Sequence, residues 1–446
     1  MAEAASNLSA GGVMRGWLVW GVGVFAYAVA VLQRTSLGVI GLEAADRFGV
    51  SPGVLSTFVV VQLLVYAGMQ IPAGILIDRF GSRATLTGGM VLMALGQTIL
   101  ALTDQLGVGI AARVIVGAGD AFIFASVLRL LPSWFKPSSV PVLSQFTGLL
   151  GAVGQIVSAT GFMALLFWAG WTPAFLAAAG LAFGAAALSL VLVRDSPPGE
   201  TADPAPSPLH GLPALLKQVW VNPGTRLGLW THLTTGFSWM VFAMMWGVPY
   251  LVQGEGTSPQ AASGYYTLLI AASVVLGPIV GVLTARHPLR RSNLVLLVIA
   301  ANVLPWIAVI AWPGPAPAWL LIVLMIGLSA GGPGSGIGMD FARTSVPRHQ
   351  LGTATGIVLI GAFVASVICV AGIGLFLDLL SPTGTYTLGQ FRLAFALQIP
   401  VWVIGTAGIF TSRARLRRQM AEAGIVVPPW RDALQREWLR RRYRRR

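Results

Sequence analysis

The sequence predicts an all-α membrane protein with twelve transmembrane helices in two six-helix bundles, and three observations lead to this fold class. The chain is 55% hydrophobic and 10% charged, with a mean hydropathy of +0.77. An ordinary soluble domain is about 25% charged. Apolar runs of about 20 residues, long enough for a helix to cross a hydrocarbon core about 30 Å thick, recur along the chain. A proline-rich segment divides these runs into six and six.

The apolar runs define the predicted spans. Because backbone amides in lipid must find hydrogen-bond partners within their own segment, each run is expected to be a helix. Turn-like or charged stretches such as TDQLG and SPTGTYTLGQ separate the runs. The twelve predicted spans are 16–41, 52–77, 84–104, 107–131, 139–167, 171–194, 225–252, 259–284, 292–312, 317–342, 351–380 and 391–412.

Positive charges set the predicted orientation, because short cytoplasmic loops of membrane proteins collect Lys and Arg. With the N-terminus inside, thirteen Lys and Arg residues ahead of the tail fall on the cytoplasmic side, against Arg47 and Arg392 on the other side. We therefore expect a multi-pass protein of the cytoplasmic (inner) cell membrane with both termini in the cytoplasm. Residues 1–15 form the predicted N-terminal segment and residues 413–446 a basic tail.

The arginine-rich tail supplies much of the net charge of +14. Its position directly after the last span favours contact with anionic lipid headgroups and argues against a nucleic-acid partner. Trp430, Leu434 and Trp438, spaced i, i+4 and i+8, could place one face of a short helix in the membrane interface. The alternative is a disordered tail that only fixes topology.

The composition predicts no cofactor and no metal. Cys369 is the lone cysteine and lies inside a predicted span, which excludes an intrachain disulfide and a cysteine-based metal site. The four histidines lie far apart in the sequence, and no nucleophile motif or soluble domain is present. We therefore expect that the protein is not an enzyme.

The chain divides into two halves of similar organisation. Residues 16–194 form the first predicted bundle and residues 225–412 the second. The intervening residues 195–224 carry six prolines between Pro197 and Pro213 and are predicted to be a cytoplasmic linker.

An internal repeat links the two halves. GILIDRFGSR begins at Gly74, and GVLTARHPLR begins 207 residues later, each between the second and third span of its half. The aligned pairs are Gly74 with Gly281, Arg79 with Arg286, Arg83 with Arg290, and Asp78 with Ala285.

At this loop the sequence resembles the major facilitator superfamily, whose signature is a glycine, an Asp-Arg pair, a second glycine and a further basic residue. The resemblance covers roughly residues 15 to 412. It implies two six-helix bundles around a substrate cavity near the bilayer midplane. An Asp at a helix end can also dock on a neighbouring helix N-terminus, so we expect these loop residues to gate the cytoplasmic side rather than bind substrate. They are Gly74, Asp78, Arg79, Gly81 and Arg83.

Three charged residues lie well inside the predicted spans, away from the span ends, where each costs about 2.5 to 3.5 kcal/mol on insertion scales and normally faces a cavity or a partner. They are Arg34 in the first span and Arg113 and Asp120 in the fourth. Helical side chains lean toward the N-terminus, so Asp120 leans toward Arg113 while Arg113 leans away. A direct bond between these two is therefore not expected.

Asp120 is predicted near the midplane, with Arg34 slightly to its extracellular side. Loss of hydration favours a neutral carboxyl group, whereas a nearby guanidinium group favours the carboxylate. An anion bound at Arg34 would remove this compensation, and Asp120 would take a proton. These residues suggest a symporter of protons and a small anionic substrate.

Within the superfamily the pattern is similar to the anion:cation symporters, which carry organic anions. Their first helix has an acidic residue, Arg, two further residues and Leu, where this chain has Gln33, Arg34 and Leu37. Their fourth helix has Arg, three residues, Gly, two residues and an acid, matched here by Arg113, Gly117 and Asp120. The resemblance implies that Arg34 binds the substrate and that Asp120, with Arg113 shaping the extracellular side of the site or pairing with a neighbour, couples the proton.

The other candidate site residues could instead have purely structural roles. Gln33, Tyr27 and His232 are predicted substrate ligands, although Gln33 is not an acid and His232 could instead be a packing residue. Arg34 could be only a structural partner of Asp120, and Arg113 could extend toward the membrane surface.

The tenth predicted span has a glycine-rich stretch, and a local charged pair lies near its inner end. Asp340 and Arg343, spaced i and i+3, form a predicted gating ion pair. GLSAGGPGSGIGMD, from Gly327 to Asp340, is expected to loosen the helix, to let another backbone approach or to expose carbonyl groups.

Two rival functions stay open. A proton-driven exporter of drugs or metabolites would suit Asp120 and the apolar lining, but Arg34 would repel cations. A membrane-embedded sensor without transport is the other. Nitrate carriage usually calls for arginines in both halves, and only the first half supplies one. A monomer is expected, as the superfamily default.

Overall fold

A computed structural model describes residues 10–50, 52–198, 211–381 and 386–425. Within these residues all regular structure is helical. Short π-helical turns interrupt the fifth and seventh spans, and short 3₁₀ turns precede two other helices. The α-helices are α1 Ala10–Val39, α2 Gly41–Phe48, α3 Pro52–Leu102, α4 Leu106–Trp134, α5 Val140–Val157, α6 Met163–Ala169, α7 Trp171–Leu192, α8 Leu212–Val221, α9 Pro223–Val241, α10 Gly247–Pro249, α11 Pro259–Arg286, α12 Arg291–Ala311, α13 Ala318–Ser329, α14 Gly331–Ser345, α15 Leu351–Leu380, α16 Leu388–Phe395 and α17 Gln398–Glu422.

The described helices agree with twelve membrane spans. Eleven stretches are long and apolar enough to cross a membrane, and one of them, Leu64–Leu102, is 39 residues long. This stretch contains Gly81, whose φ of 82° and ψ of 167° are not helical. The helix α3, Pro52–Leu102, which includes this stretch, therefore holds two spans that correspond to the predicted spans 52–77 and 84–104, and this brings the number of spans to twelve.

Two spans differ in detail from the prediction. The predicted span 317–342 consists of α13 and α14, which meet at a tight turn at Ala330, whose N–H donates to Gly327 O at 3.2 Å. The last span is built from α16 and α17, and α17 continues ten residues past the predicted end at 412, to Glu422. Trp430, Leu434 and Trp438, the residues of the tail that could lie in the membrane interface, are outside the described residues.

Gly81 makes the turn between the second and third spans. An L-residue is strained at its positive φ, whereas glycine is not. The Asp195 carboxylate, just past the end of α7, accepts hydrogen bonds from the backbone N–H groups of Ser82 and Arg83. A Cβ atom at Gly81 would lie 2.8 Å from the Asp195 carboxylate oxygens. Backbone conformation and the bound carboxylate therefore both require glycine here.

The loops with most of the cations gather at one end of the helices, which we call the basic end. There Trp134 Nε1 donates to Arg194 O at 2.9 Å, and Gly16, near the start of α1, packs on Trp134. Arg413 of α17 donates to Asn293 Oδ1 at 2.8 Å at the same end. The start of α1 and the second half of α17 thus lie on one side of the bundle.

The opposite end has its own contacts. Arg47 Nε donates to Thr103 O at 3.2 Å, and Trp171 Nε1 donates to Leu100 O at 2.9 Å. In the second half, the buried Glu255 carboxylate accepts the Ala316 N–H at 2.6 Å and the Tyr250 hydroxyl.

The two bundles meet closely near the basic end. Gly74 of α3 packs against the Gly352 carbonyl group of α15, and one turn further along Gly356 packs against Gln70 O. Because Gly74 and Gly356 have no side chains, the backbones of α3 and α15 touch at both places. The apolar core of the first bundle continues through this contact into α14 and α15, where it includes Met339 and Ala354. The basic end is therefore closed.

We predict that Gly81→Ala destabilises the protein by about 1–2 kcal/mol or more, since a Cβ is strained at this φ and displaces the Asp195 carboxylate. Thermal unfolding in detergent measures the change. Gly88→Ala, in the same helix, is the matched control because no atom lies within 4 Å of the added Cβ. Equal melting temperatures for the two variants would contradict the role of Gly81.

Candidate functional site

A buried ion pair joins α1 to α4. Arg34 Nε donates to Asp120 Oδ2 at 2.6 Å, and Arg34 Nη2 donates to Asp120 Oδ1 at 2.9 Å. The side chain of Asp120 is 0% exposed, and that of Arg34 is 21% exposed. In this conformation the arginine is thus the accessible partner, and the carboxylate lies behind it.

An aromatic ring covers the guanidinium group of Arg34. Its Cζ lies 4.7 Å from the centre of the Tyr66 ring on α3, within cation–π distance. Tyr66 in turn contacts Phe363 of α15 edge to face, with ring centres 4.8 Å apart. This aromatic pair crosses between the bundles and connects the ion pair to the second half of the protein.

Arg113 is fully buried, so the alternative that it extends toward the membrane surface is wrong. Its Nη1 donates to Gln33 O at 3.2 Å and its Nη2 to Arg34 O at 3.0 Å. These carbonyl groups lie in the last two turns of α1, where the helix dipole is negative and attracts a cation. As expected, its bonds go elsewhere than to Asp120. Arg113 instead fixes the backbone that carries Arg34.

Gln33 faces away from the ion pair. It is completely buried, and its Nε2 donates to Ala178 O of α7 at 3.1 Å. Ser36 and Gln97 continue this polar cluster, with Gln97 Nε2 donating to Ser36 Oγ at 3.3 Å. The structure thus places Gln33 between helices of the first bundle rather than beside the exposed part of Arg34.

Tyr27 and His232 occupy different bundles. The Tyr27 ring lies 5.0 Å from that of Phe124, in space left free by Gly151 of α5. His232 is buried in the second bundle, where its Nδ1 accepts the Ala362 N–H at 3.1 Å. For His232 these contacts match the packing alternative.

Asp78 binds the N-terminus of α15. Its carboxylate accepts hydrogen bonds from Gly352 N, Thr353 N and Thr353 Oγ1, each at 2.7 Å. A helix N-terminus presents free N–H groups and partial positive charge, which suits an anion. Arg129 adds its guanidinium group 3.6 Å away. Asp78 thereby ties the first bundle to the second at the basic end.

The other predicted gating residues differ in their surroundings. Arg79 is exposed, with its guanidinium group 5.5 Å from the Phe80 ring centre. Arg83 Nε donates to Leu190 O at 2.8 Å and so joins the third span to α7. In the second bundle Arg343 pairs with Asp340 at 2.7 Å, and Arg291 donates to the Asp340 carbonyl group.

Sequence reasoning missed several residues of this network. Asp195 caps the turn at Gly81, and Arg129 lies between the carboxylates of Asp78 and Asp195. Tyr66 stacks on Arg34 without any motif to single it out. Asp195 and Arg129 did carry a signal, since each is a charged residue at a predicted span end, but sequence alone does not show which ends meet.

Comparison with known proteins identifies the family. The family profile described as Major Facilitator Superfamily matches residues 23–370. The chain belongs to the Major Facilitator Superfamily. This confirms the family and the fold predicted from the sequence, and the family is one of multi-pass membrane transporters rather than of enzymes.

Two relatives of this chain are named as transporters of anionic compounds. The Probable sulfoacetate transporter SauU of Cupriavidus necator is 22% identical over 286 residues, which are 62% of this chain and 66% of the relative. The Hexuronate transporter of Bacillus subtilis is 25% identical over 255 residues, 53% of this chain and 57% of the relative. The chain thus spans less than two thirds of the length of either.

A solved structure shares the fold. The crystal structure of the Escherichia coli fucose:proton symporter FucP superposes with a TM-score of 0.66 at 14% identity. The match covers 86% of this chain and 97% of that one. At this identity the likeness shows the architecture alone.

We predict an asymmetry between the two members of the ion pair. Arg34→Met leaves the buried carboxylate without its partner, which costs about 3–5 kcal/mol. Asp120→Asn leaves a partly exposed cation and costs less. The double variant Arg34→Met with Asp120→Asn recovers part of the loss, because no charge is then unpaired. Melting temperatures of the three variants measure this; an additive loss in the double variant would contradict the coupling.

We predict that Asp78→Asn weakens the contact with α15. Asn has one acceptor oxygen for three donors, and a hydrogen bond to a charged group contributes about 1.5–3 kcal/mol. Thermal unfolding of Asp78→Asn and of Arg79→Ala measures the difference. Arg79 is exposed next to Asp78, so its variant is expected to stay within about 0.5 kcal/mol of the parent protein.

Proposed function

We propose that this transporter moves a small organic anion together with a proton across the cell membrane by alternating access. The charge of the buried site is the observation that carries this proposal. Arg34 and Arg113 supply two positive charges and Asp120 one negative charge, so the middle of the first bundle has a net charge of +1. A buried net charge is costly unless it is compensated, and an anion compensates this one.

The Arg34 guanidinium group has N–H donors that Asp120 does not use. Asp120 occupies the Nε and Nη2 edge of the guanidinium group. A guanidinium group carries five N–H donors, so Nη1 and the second hydrogen of Nη2 form another edge for a carboxylate or sulfonate. The exposed fraction of Arg34 supports access to this edge, since Asp120 itself is covered. Substrate therefore adds to the ion pair and does not need to displace it.

Proton coupling follows from sharing one cation between two anions. Without substrate, Arg34 compensates the Asp120 carboxylate alone. When the substrate anion binds to Arg34, two negative groups face one guanidinium group, and protonation of Asp120 removes the excess charge. The proton and the anion then cross together. Arg113 supports this step by fixing the backbone of Arg34 and by keeping the site positive.

The closed basic end gives the direction of access. Asp78, the Gly74 contact and the Tyr66–Phe363 pair join the bundles between Arg34 and the basic end. We therefore place the entrance at the opposite end. By the distribution of Lys and Arg the basic end faces the cytoplasm, so this conformation receives substrate from outside. The proposed uptake uses this conformation to bind substrate from outside.

The named substrates of the relatives support an anion. Sulfoacetate and hexuronates are small acids with carboxylate or sulfonate groups. Either group can accept two parallel hydrogen bonds from a guanidinium group. We propose an acid of this kind as the substrate, with Tyr66 and Tyr27 as the aromatic lining next to it.

A ligand screen by thermal stability tests the proposal, because a ligand of the folded state raises the apparent stability. The panel contains sulfoacetate, hexuronates, other sugar acids, aromatic acids, dicarboxylates, nitrate and cationic drugs. We expect stabilisation by an organic acid that is lost in Arg34→Ala. Arg47→Ala is the matched control. Arg47 also lies over an aromatic ring, that of Trp171, but it lies at the end of the helices opposite the basic end, away from the Arg34–Asp120 pair. Stabilisation by cationic drugs alone, equal in Arg34→Ala, would instead favour export.

Proton coupling has a separate test in liposomes that contain a pH-sensitive dye. Addition of the stabilising acid is expected to acidify the interior in the parent protein. Asp120→Asn is expected to bind the acid but to abolish acidification, because asparagine cannot carry the proton. Acidification that persists in Asp120→Asn would remove this residue from the coupling mechanism.

A further inference from the structure

The two bundles are joined at the basic end at a second place, away from Asp78. Gln145 of α5 extends across to the second bundle, and its Nε2 donates to Pro333 O of α14 at 2.9 Å. This hydrogen bond links residues 188 positions apart. It has no charged partner, unlike the contact of Asp78 with α15.

Two glycines make room for the Gln145 side chain. A Cβ atom at Gly336 would lie 2.7 Å from Gln145 Nε2, and a Cβ atom at Gly281 would lie 3.2 Å from its Cγ. Gly281 also lets α11 approach the backbone of α5, since its Cβ would lie 3.0 Å from Val142 Cα. The amide group of Gln145 therefore lies in a socket between α11 and α14, formed by Gly281 and Gly336.

The internal repeat relates this socket to the first contact. Gly74 and Gly281 are 207 residues apart, and so are Gln145 and Gly352. Gly74 packs against Gly352, and Gly281 packs against Gln145, so equivalent helices meet at both places. The polar parts differ, because Ala285 occupies the position equivalent to Asp78. The second contact has no carboxylate there, and Gln145 supplies its polar bond.

The acceptor of Gln145 lies at the start of the second part of the discontinuous tenth span. Pro333 follows the turn at Ala330, where α13 ends and α14 begins. Just before this turn, at the end of α13, Ser329 O accepts a hydrogen bond from the Ser273 hydroxyl of α11 at 2.9 Å. Both parts of this span pack within the second bundle, and α14 has in addition the hydrogen bond from Gln145 of the first bundle.

We infer that Gln145 is a positioning residue of the transport cycle, which holds α14 against the first bundle and keeps the basic end closed. This inference rests on alternating access as proposed above. Opening the basic end must break the Gln145–Pro333 hydrogen bond together with the Asp78 contact. One of these contacts depends on charge, and the other is neutral.

Replacing the amide donor of Gln145 by a carboxyl group tests the role of its hydrogen bond to Pro333 O. In Gln145→Glu a protonated carboxyl group still donates to Pro333 O, whereas an ionised carboxylate only accepts and is repelled by the carbonyl oxygen. The nearest charged residues on the facing helices are Arg286 of α11 and Asp340 of α14, five and four residues beyond the socket glycines, and Asp340 is already paired with Arg343. Gln145→Glu is therefore expected to make closure of the basic end depend on pH.

The distance between spin labels at the basic end measures closure. Ser138 and His287 are exposed residues of this end in different bundles, and the buried Cys369 is replaced by serine in the background. Gln145→Leu is expected to lower the closed-to-open ratio about fivefold, the effect of losing one neutral hydrogen bond. Gln145→Glu is expected to stay closed at pH 5 and to open at pH 8, while the parent shows no such change.

Glycine variants provide the matched control. Gly336→Ala displaces the Gln145 amide and is expected to act like Gln145→Leu. Gly332→Ala, one turn earlier in α14, has no atom within 4 Å of the added Cβ and is expected to leave the distances unchanged. Identical distances at pH 5 and pH 8 in Gln145→Glu, with Gly336→Ala equal to Gly332→Ala, would overturn the role of Gln145. The parent protein separates this outcome from a failure of alternating access, because without alternating access its distances stay those of the closed state whether or not the stabilising acid is added.

Discussion

The cost of keeping charge inside a membrane is the constraint on which the rest of this structure depends. Asp120 has lost all contact with solvent, and only the Arg34 guanidinium group compensates it directly. That requirement fixes the distance between α1 and α4. It also determines the neighbouring contacts. Because Asp120 already pairs with Arg34, Arg113 binds the carbonyl groups near the end of α1 instead of a carboxylate. A positively charged, partly accessible site results, and this is the property on which the proposed anion transport rests.

The ion pair is connected to the closed end of the protein through packed side chains. Arg34 contacts Tyr66, Tyr66 contacts Phe363, and Phe363 lies on the helix whose N-terminus binds Asp78. A change in charge at the site therefore lies two side-chain contacts away from the second bundle. This arrangement offers a physical route by which occupancy of the site and closure of the basic end can influence each other.

Much of the fold followed from the sequence because lipid permits few alternatives. Long apolar runs must be helices, and the glycine-rich motif around Gly74 and Gly81 identified the superfamily. The charged residues Arg34 and Asp120 were singled out for the same physical reason, the cost of burial. Sequence reasoning already expected Arg34 to compensate Asp120. It did not show the two hydrogen bonds of this pair, that Gln33 points toward α7, or that Arg113 is fully buried, because these facts depend on how helices rotate against each other. Tyr66 and Gln145 carry no charge and no motif, so only tertiary contacts reveal them.

The central claim is that anion binding at Arg34 leads to protonation of Asp120. Infrared difference spectroscopy on the purified protein tests it directly, since a protonated carboxyl group has a C=O band distinct from that of a carboxylate. The account predicts that addition of the stabilising acid produces a protonated-carboxyl band in the parent protein, and that this band is absent in Asp120→Asn. Binding of the acid without such a band, or with the same band in Asp120→Asn, would contradict the account.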